Sequence, residues 1–396
     1  MTRLWDKGTS LDARVLGYTA GDDHALDNRL VAYDIRASIA HAEMLGEQKL
    51  LSPKDVAAIR DALTAIGAEH AQGRWRIALD QEDCQTAIEN LLTARIGDAG
   101  GRLHAGRSRN DQVLAALRLY MRDAAQALNL GAIAVADALQ NLAERHADQE
   151  LPGYTHMQQA MPSSVALWAL GFAAELRDDA EGLEHTQRRI GKNPLGSAAG
   201  FGTPNLSINR EATRRRLDFA VTQEPVTAVQ LSRGKAEAQL LFEITLLTQD
   251  LGRLAADLML FYSQEFSYVS LPEAFTTGSS IMPQKRNPDV FELMRGRSAV
   301  SQAALNEVLG ITQKMTSGYH RDLQLIKAPL FRAIDSCLQT LEILPAALEG
   351  VRFRAENIRL DPSIHAAAAA NALVAKEGIP FRDAYRQVAA KLKDKE

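Results

Sequence analysis

Cysteine is scarce in this 396-residue chain: Cys84 and Cys337 are the only two. Two thiols are too few for a disulfide framework or a thiolate zinc site. An excess of one charge is also missing, because 45 Lys+Arg face 49 Asp+Glu for a formal net charge of -4. That balance argues against a nucleic-acid binder, which would carry a basic surplus. No long apolar run is present. The longest, Val165 to Ala174, falls well short of the ~18 residues a membrane span requires. The first ten residues, MTRLWDKGTS, hold no apolar stretch suited to a signal peptide, so a cytoplasmic location is expected. What remains, 46% hydrophobic and 24% charged residues, is the composition of a globular protein with ample core material.

Proline is sparse and unevenly placed. None of the 13 falls between Pro53 and Pro152, Pro162 and Pro194, Pro225 and Pro272, or Pro288 and Pro329. A helix-interior proline costs ~3 kcal/mol, so these gaps leave room for long helices. Periodicity supplies the positive signal. Val113, Leu117, Tyr120, Ala124 and Leu128 recur at steps of three and four, and Leu128, Val135 and Leu142 continue at heptad spacing. Asn110 and Asp111 stand where a helix N-cap is expected. Lys235 to Tyr262 repeats the theme through Leu240, Ile244, Leu247, Leu251, Leu254 and Leu258. A third segment follows Pro288 through Phe291, Met294, Ser298, Ser301, Leu305 and Val308. Period-two alternation is rare, so little sheet is expected. The fold class is all-α, a bundle of long helices that is either monomeric or, as the apolar stripes with small Ala and Gly favour, packed across subunits. Breaks are expected near Gly100–Gly101 and Gly350, giving an N-terminal helical domain (1–105), a central bundle (106–350) and a short C-terminal domain (351–396).

Four segments interrupt the helical pattern and collect polar groups. Residues 100–112 gather three arginines with Ser108 and Asn110 before a helix start, suited to a carboxylate or phosphate. Taken alone, the string reads equally as a cap followed by solvated arginines. Residues 152–162 place His156 between two prolines, beside Thr155, Gln158 and Gln159. A lone histidine there is more often structural, while these neighbours also suit an imidazole held for proton transfer. Residues 276–288 combine Gly278, two serines, Lys285, Arg286 and Asn287 in a loop with apolar Ile281 and Met282 at its middle. A lid that docks and closes over an anion fits that mixture. Residues 317–327 set Tyr319, Arg321, Gln324 and Lys327 at steps of two and three, which a binding surface or a solvated helix face explains equally.

HAGRSRNDQ at 104–112, PGYTH at 152–156 and GSSIMPQKRNP at 278–288 resemble the argininosuccinate lyases of the fumarase/aspartase superfamily. The lid motif marks the superfamily, and GRSRNDQ points to the argininosuccinate branch. Weaker similarity covers Tyr33–His41, Pro194–Ser197 and Pro380–Arg382. The resemblance implies a central helical bundle flanked by two smaller helical domains, in a homotetramer whose active sites combine residues of three subunits. It implies reversible cleavage of argininosuccinate to arginine and fumarate in arginine biosynthesis, on a small-molecule substrate and with no metal or organic cofactor. By motif position Ser279 would remove the Cβ proton, with His156 and Glu292 assisting as a pair and Lys285 stabilising the aci-carboxylate. Ser108, Arg109, Asn110, Thr155, Asn287, Tyr319, Gln324 and Lys327 would bind substrate.

Several positions depart from the commoner family pattern. Ala115 and Ala116 stand for Thr-Asp, Gln230–Arg233 for a Ser-Asp-Arg segment, Gln85 for a histidine, and Met161 for a glutamine. Leu325 and Ile326 replace an acidic pair, and the C-terminal part looks shorter. These changes bear most on substrate preference. Two alternatives therefore stand beside the main reading. One is another fumarate-releasing lyase, acting on adenylosuccinate, aspartate or malate. The other is a non-catalytic structural paralogue, against which the joint presence of Ser279, His156 and Glu292 counts.

Overall fold

The computed structural model describes residues 12–393. Its chain is mostly helical, as the proline gaps and periodicity predict. In chain order the principal helices are α1 (Val31–Glu47), α2 (Pro53–Ala71), α3 (Cys84–Ile96), α4 (Arg109–Arg145), α5 (Val165–His185), α6 (Lys235–Tyr262), α7 (Asp289–Thr312), α8 (Lys327–Gly350), α9 (Ala366–Glu377) and α10 (Phe381–Lys393). Among the described residues the sheet content is three two-stranded pairs. Helix α4 runs for 37 residues, about 55 Å at the standard rise.

The apolar stripes are buried as their spacing requires. Leu128, Val135 and Leu142 on α4 are fully buried, as are Leu240, Ile244, Leu247, Leu254 and Leu258 on α6. Each such leucine contributes roughly 1.5–3 kcal/mol by leaving water. Proline placement follows backbone rules at the start of α8, where Pro329 sits in the first turn and sacrifices no intrahelical bond. The same helix continues through Pro345 near its far end.

Two compact units divide the contacts. The first comprises Met1–Leu128, Gly182–Thr245 and Val300–Ser336; the second comprises Asn129–Glu181, Leu246–Ala299 and Cys337–Glu396. The five longest helices each contribute residues to both.

In the first unit α1, α2 and α3 pack around Met44, Leu45, Ile59, Leu63, Ile88 and Leu92. A neighbouring cluster joins Ala37 and Ala40 of α1 to Ala115 and Leu119 of α4, together with Leu195, Leu217 and Phe219. Ala115 and Ala116 are both completely buried. The place of a polar pair is thus taken by core.

The second unit holds the hairpin of β1 (Glu150–Thr155) and β2 (Gln158–Ser164) and the α9–α10 helix pair. Its stretches of α4 and α8 approach closely at Gly131. A Cβ there would lie 2.9 Å from Leu341 Cδ1 and 3.0 Å from its Cβ, so any other residue would have to displace the Leu341 side chain.

Candidate active site

The start of α4 is built by a reciprocal cap. Ser108 Oγ accepts from the Asn110 N–H at 3.3 Å, and Asp111 Oδ1 accepts from the Ser108 N–H at 2.9 Å. This is capping-box logic with an aspartate at the third position. The cap is therefore Ser108, and the expectation of Asn110 or Asp111 is corrected. The small hydroxyl of Ser108 folds back onto the first turn, leaving Asp111 to act further inward. Asp111 Oδ2 accepts from the Gly196 and Ala198 N–H groups at 3.0 and 2.9 Å, tying the 194–198 turn to α4. Burial pushes the Asp111 carboxyl up to about 6 against the pull of these donors.

With α4 so anchored, Arg109 and Asn110 face a cavity of about 120 Å³ in the first unit. Tyr319, Gln324 and Lys327 line the same cavity, so five of the sequence-predicted binding residues converge there. Ser108 stays at the cap. Arg109 donates through Nη1 to Asp83 Oδ2 at 2.8 Å and to Glu82 Oε2 at 3.5 Å. Gln324 Nε2 reaches the Thr19 and Ala20 carbonyls at 3.0 Å each, and Arg321 Nη2 joins it on Thr19 O at 2.8 Å.

Lys327 is almost wholly buried, with Nζ 2.6 Å from Asp27 Oδ1 and 2.9 Å from Asp23 Oδ2. Burial alone would lower its pKa; the two carboxylates outweigh that and raise it. Burial raises both aspartates, with Lys327 pulling the other way, and Asp23 reaches about 7. The cavity thus mixes guanidinium groups with carboxylates, a lining suited to a zwitterionic amino-acid end. Asp23, Asp27, Asp83 and Arg233, all in or beside this lining, were not singled out as binding residues from sequence.

Two departures from the family pattern also find places in the first unit. Gln85 is buried and donates to Asp34 Oδ2 at 2.9 Å, within a chain that continues through Ser38 to Arg107. It also lines the cavity, where it brings a neutral amide, fixed on a buried carboxylate, in place of a titrating imidazole. Leu325 is 60% exposed, while Ile326 is fully buried.

The remaining predicted residues lie in the second unit. Thr155 ends β1, and the two-residue loop that follows is His156-Met157, with φ of 53° and 60°. Paired positive φ values are what a type I′ hairpin turn demands, normally of Asn and Gly. Such strain in non-glycine residues gathers at functional sites. Both loop side chains are exposed, and Gln159 pins β2 by bonding Arg359 O and the Asp361 N–H at 2.9 Å each.

The lid is closed at its neck by two backbone bonds between Thr277 and Asn287, of 3.1 and 2.8 Å. Asn287 Nδ2 also reaches Gly278 O at 3.3 Å. Ser279 Oγ accepts from the Met282 and Ile281 N–H groups at 3.2 and 3.4 Å. Lys285 is exposed on the lid, and Glu292 is exposed in the first turn of α7. Ile281 is 82% exposed, so the apolar middle of the lid lies open. Met161 is likewise half exposed on β2.

Comparison with known proteins gives the class to which this helical scaffold belongs. Residues 17–302 match the lyase family model, and the chain belongs to that family. The argininosuccinate lyase of Sorangium cellulosum is 49% identical over 392 residues, covering 98% of this chain and 90% of that protein. The argininosuccinate lyase of Xanthomonas campestris pv. campestris is 42% identical over 391 residues, again 98% and 90%. Within the lyases, the chain is therefore a member of the argininosuccinate lyase family. Among solved structures, EDDS lyase in complex with formate superposes with a TM-score of 0.80 at 24% identity, covering 96% of this chain and 76% of that one. Class II fumarase from Schistosoma mansoni gives 0.79 at 18%, covering 97% and 88%. Both share the fold.

Proposed function

We propose that the chain cleaves argininosuccinate reversibly to arginine and fumarate, as a step of arginine biosynthesis in the cytoplasm, without metal or organic cofactor. The observation that carries this reading is near-full-length likeness to relatives bearing that activity in their names. The first-unit cavity supports it, since carboxylates and guanidinium groups side by side suit the charged ends of an amino acid.

The reaction removes a proton from the carbon beside a carboxylate and breaks the C–N bond at the next carbon. Its intermediate is a dianionic aci-carboxylate, stabilised by cations and N–H donors placed beforehand. Ser279 takes the proton. The two lid N–H groups that bond its Oγ favour the anionic form of that oxygen, and exclusion of water on closure strengthens the effect. Lys285 and Asn287 stand on the same lid to meet the developing charge. His156 assists proton transfer in partnership with Glu292, and Thr155 binds substrate beside it. Ser108, Arg109, Asn110, Tyr319, Gln324 and Lys327 hold the remainder of the substrate. The working form is a homotetramer whose sites combine residues of different subunits.

The test is ultraviolet detection of fumarate from purified protein given argininosuccinate, adenylosuccinate, aspartate and malate in parallel. Fumarate from argininosuccinate alone is expected. Release from one of the others would reassign the substrate. Silence from all four in a folded protein would favour a non-catalytic paralogue.

A further inference from the structure

We propose that a second cavity in the first unit, walled by Gln230, Arg233 and Lys235, binds a small oxyanion, a carboxylate or a phosphate. The cavity measures about 610 Å³ and is completed by Thr312, Gln313 and Thr316 among others. Among the described residues, none of its wall is a carboxylate, while two members are cations.

Burial and hydrogen bonding make this more than a basic hollow. Arg233 is 5% exposed and Gln230 is 4% exposed. Arg233 Nε and Nη1 have no hydrogen-bond partner, and neither polar atom of the Gln230 amide has one. A guanidinium loses its hydration on burial, and the loss is made good only by acceptors. Both side chains line the cavity, so an oxyanion there meets donors that nothing else satisfies.

Charge balance points the same way. Arg118, Arg233 and Glu237 are all buried, and both of the others act on Arg118, Glu237 favouring its charge and Arg233 opposing it. Arg118 spends its Nη atoms on Lys192 O, Gln223 Oε1 and Ser232 Oγ. Glu237 forms no hydrogen bond or ion pair with Arg233. One carboxylate among two buried guanidinium groups leaves a positive charge uncompensated, and Arg233 carries the open donors. A neutral ligand would leave that charge as it stands.

Arg233 and Leu323 also line the first cavity. An anion held in the second therefore fixes a cation shared with the candidate active site, and the Arg233 guanidinium already lies 6.0 Å from the Tyr319 ring centroid.

The experiment is isothermal titration calorimetry of the purified protein in an oxyanion-free buffer, with inorganic phosphate and, separately, succinate. No turnover is read, and because succinate also resembles the fumarate of the proposed reaction, the Gln313→Glu variant, which lies outside the first cavity, is what assigns binding to the second. At least one of the two anions is expected to bind, and which one identifies the ligand. Arg233→Met and Gln313→Glu should each weaken that binding at least tenfold. Gln313 lines the second cavity and not the first, and its side chain is exposed, so this variant keeps the test decisive if Arg233→Met fails to fold. Binding of neither anion, or undiminished binding in either folded variant, overturns the proposal.

Discussion

The lysine that lines the first-unit cavity meets its ligand already paired with two buried carboxylates. Lys327 lies within hydrogen-bond distance of both Asp23 and Asp27, which leaves one negative charge in excess. Burial then drives the Asp23 carboxyl to about 7, against about 3.9 in an unfolded chain. Between those values the native state binds more protons than the unfolded state, so stability falls as pH rises from about 4 to about 7. Asp23→Asn removes that slope. The stability of the wild type relative to the variant, read from thermal midpoints, should be greatest at about pH 4 and below, decline up to about pH 7 and level off beyond it. A difference that stays flat from pH 5 to 8 would mean that Asp23 is ionised throughout. Chemistry at the same scale rests on Ser279. Its replacement by alanine should cut fumarate release at least ~100-fold, the lower range for a positioned proton-transfer group, with helix content unchanged. Wild-type turnover would remove Ser279 from the mechanism.

Among the elements, the β1–β2 hairpin is the one most strained and least legible. Pro152 and Pro162 face each other across it, and proline in a run ordinarily argues against a strand. Its loop sets Met157 at φ 60°, a left-handed conformation costing a side-chain-bearing residue ~1–2 kcal/mol. Met157→Gly should therefore raise stability, by about 1 kcal/mol once the extra freedom of glycine in the unfolded chain is counted. Urea unfolding checks this, and a loss of stability would show that the Met157 side chain packs in the working form. Long helices were readable because their signals are local: proline gaps set the limits, and apolar steps of three and four mark the buried face. Helix α6 begins and ends where its pattern does. The cap of α4 was misplaced because Ser108, Asn110 and Asp111 are all competent caps, and only the backbone geometry selects among them. In the first-unit cavity, the 317–327 segment and the GRSRNDQ arginine were visible as clusters. Asp27, Asp83 and Arg233 come from separate parts of the chain, and no local spacing announces their meeting.

On the scale of the whole molecule, the long helices carry more apolar surface than a single chain in water would keep. Phe242 and Leu246, one turn apart on α6, are 48% and 38% exposed, and Leu167 and Leu170 on α5 are 66% and 44% exposed. Pairs at helical spacing form stripes, and stripes of this kind mark surfaces that another chain covers. The proposed homotetramer supplies that cover. Joint replacement of Phe242 and Leu246 by glutamate should reduce the molar mass measured by light scattering while circular dichroism retains its helical signal. An unchanged mass would place the subunit contacts elsewhere. Assembly also bears on chemistry, because a site made from several subunits can be repaired by mixing. His156→Ala and Ser279→Ala are each expected to be inactive alone. After subunit exchange at equal concentration, a site that draws these two residues from different chains finds both intact in roughly a quarter of cases, with corresponding recovery of fumarate release. Exchange verified by mass labelling without any recovery would place His156 and Ser279 of one chain in the same site.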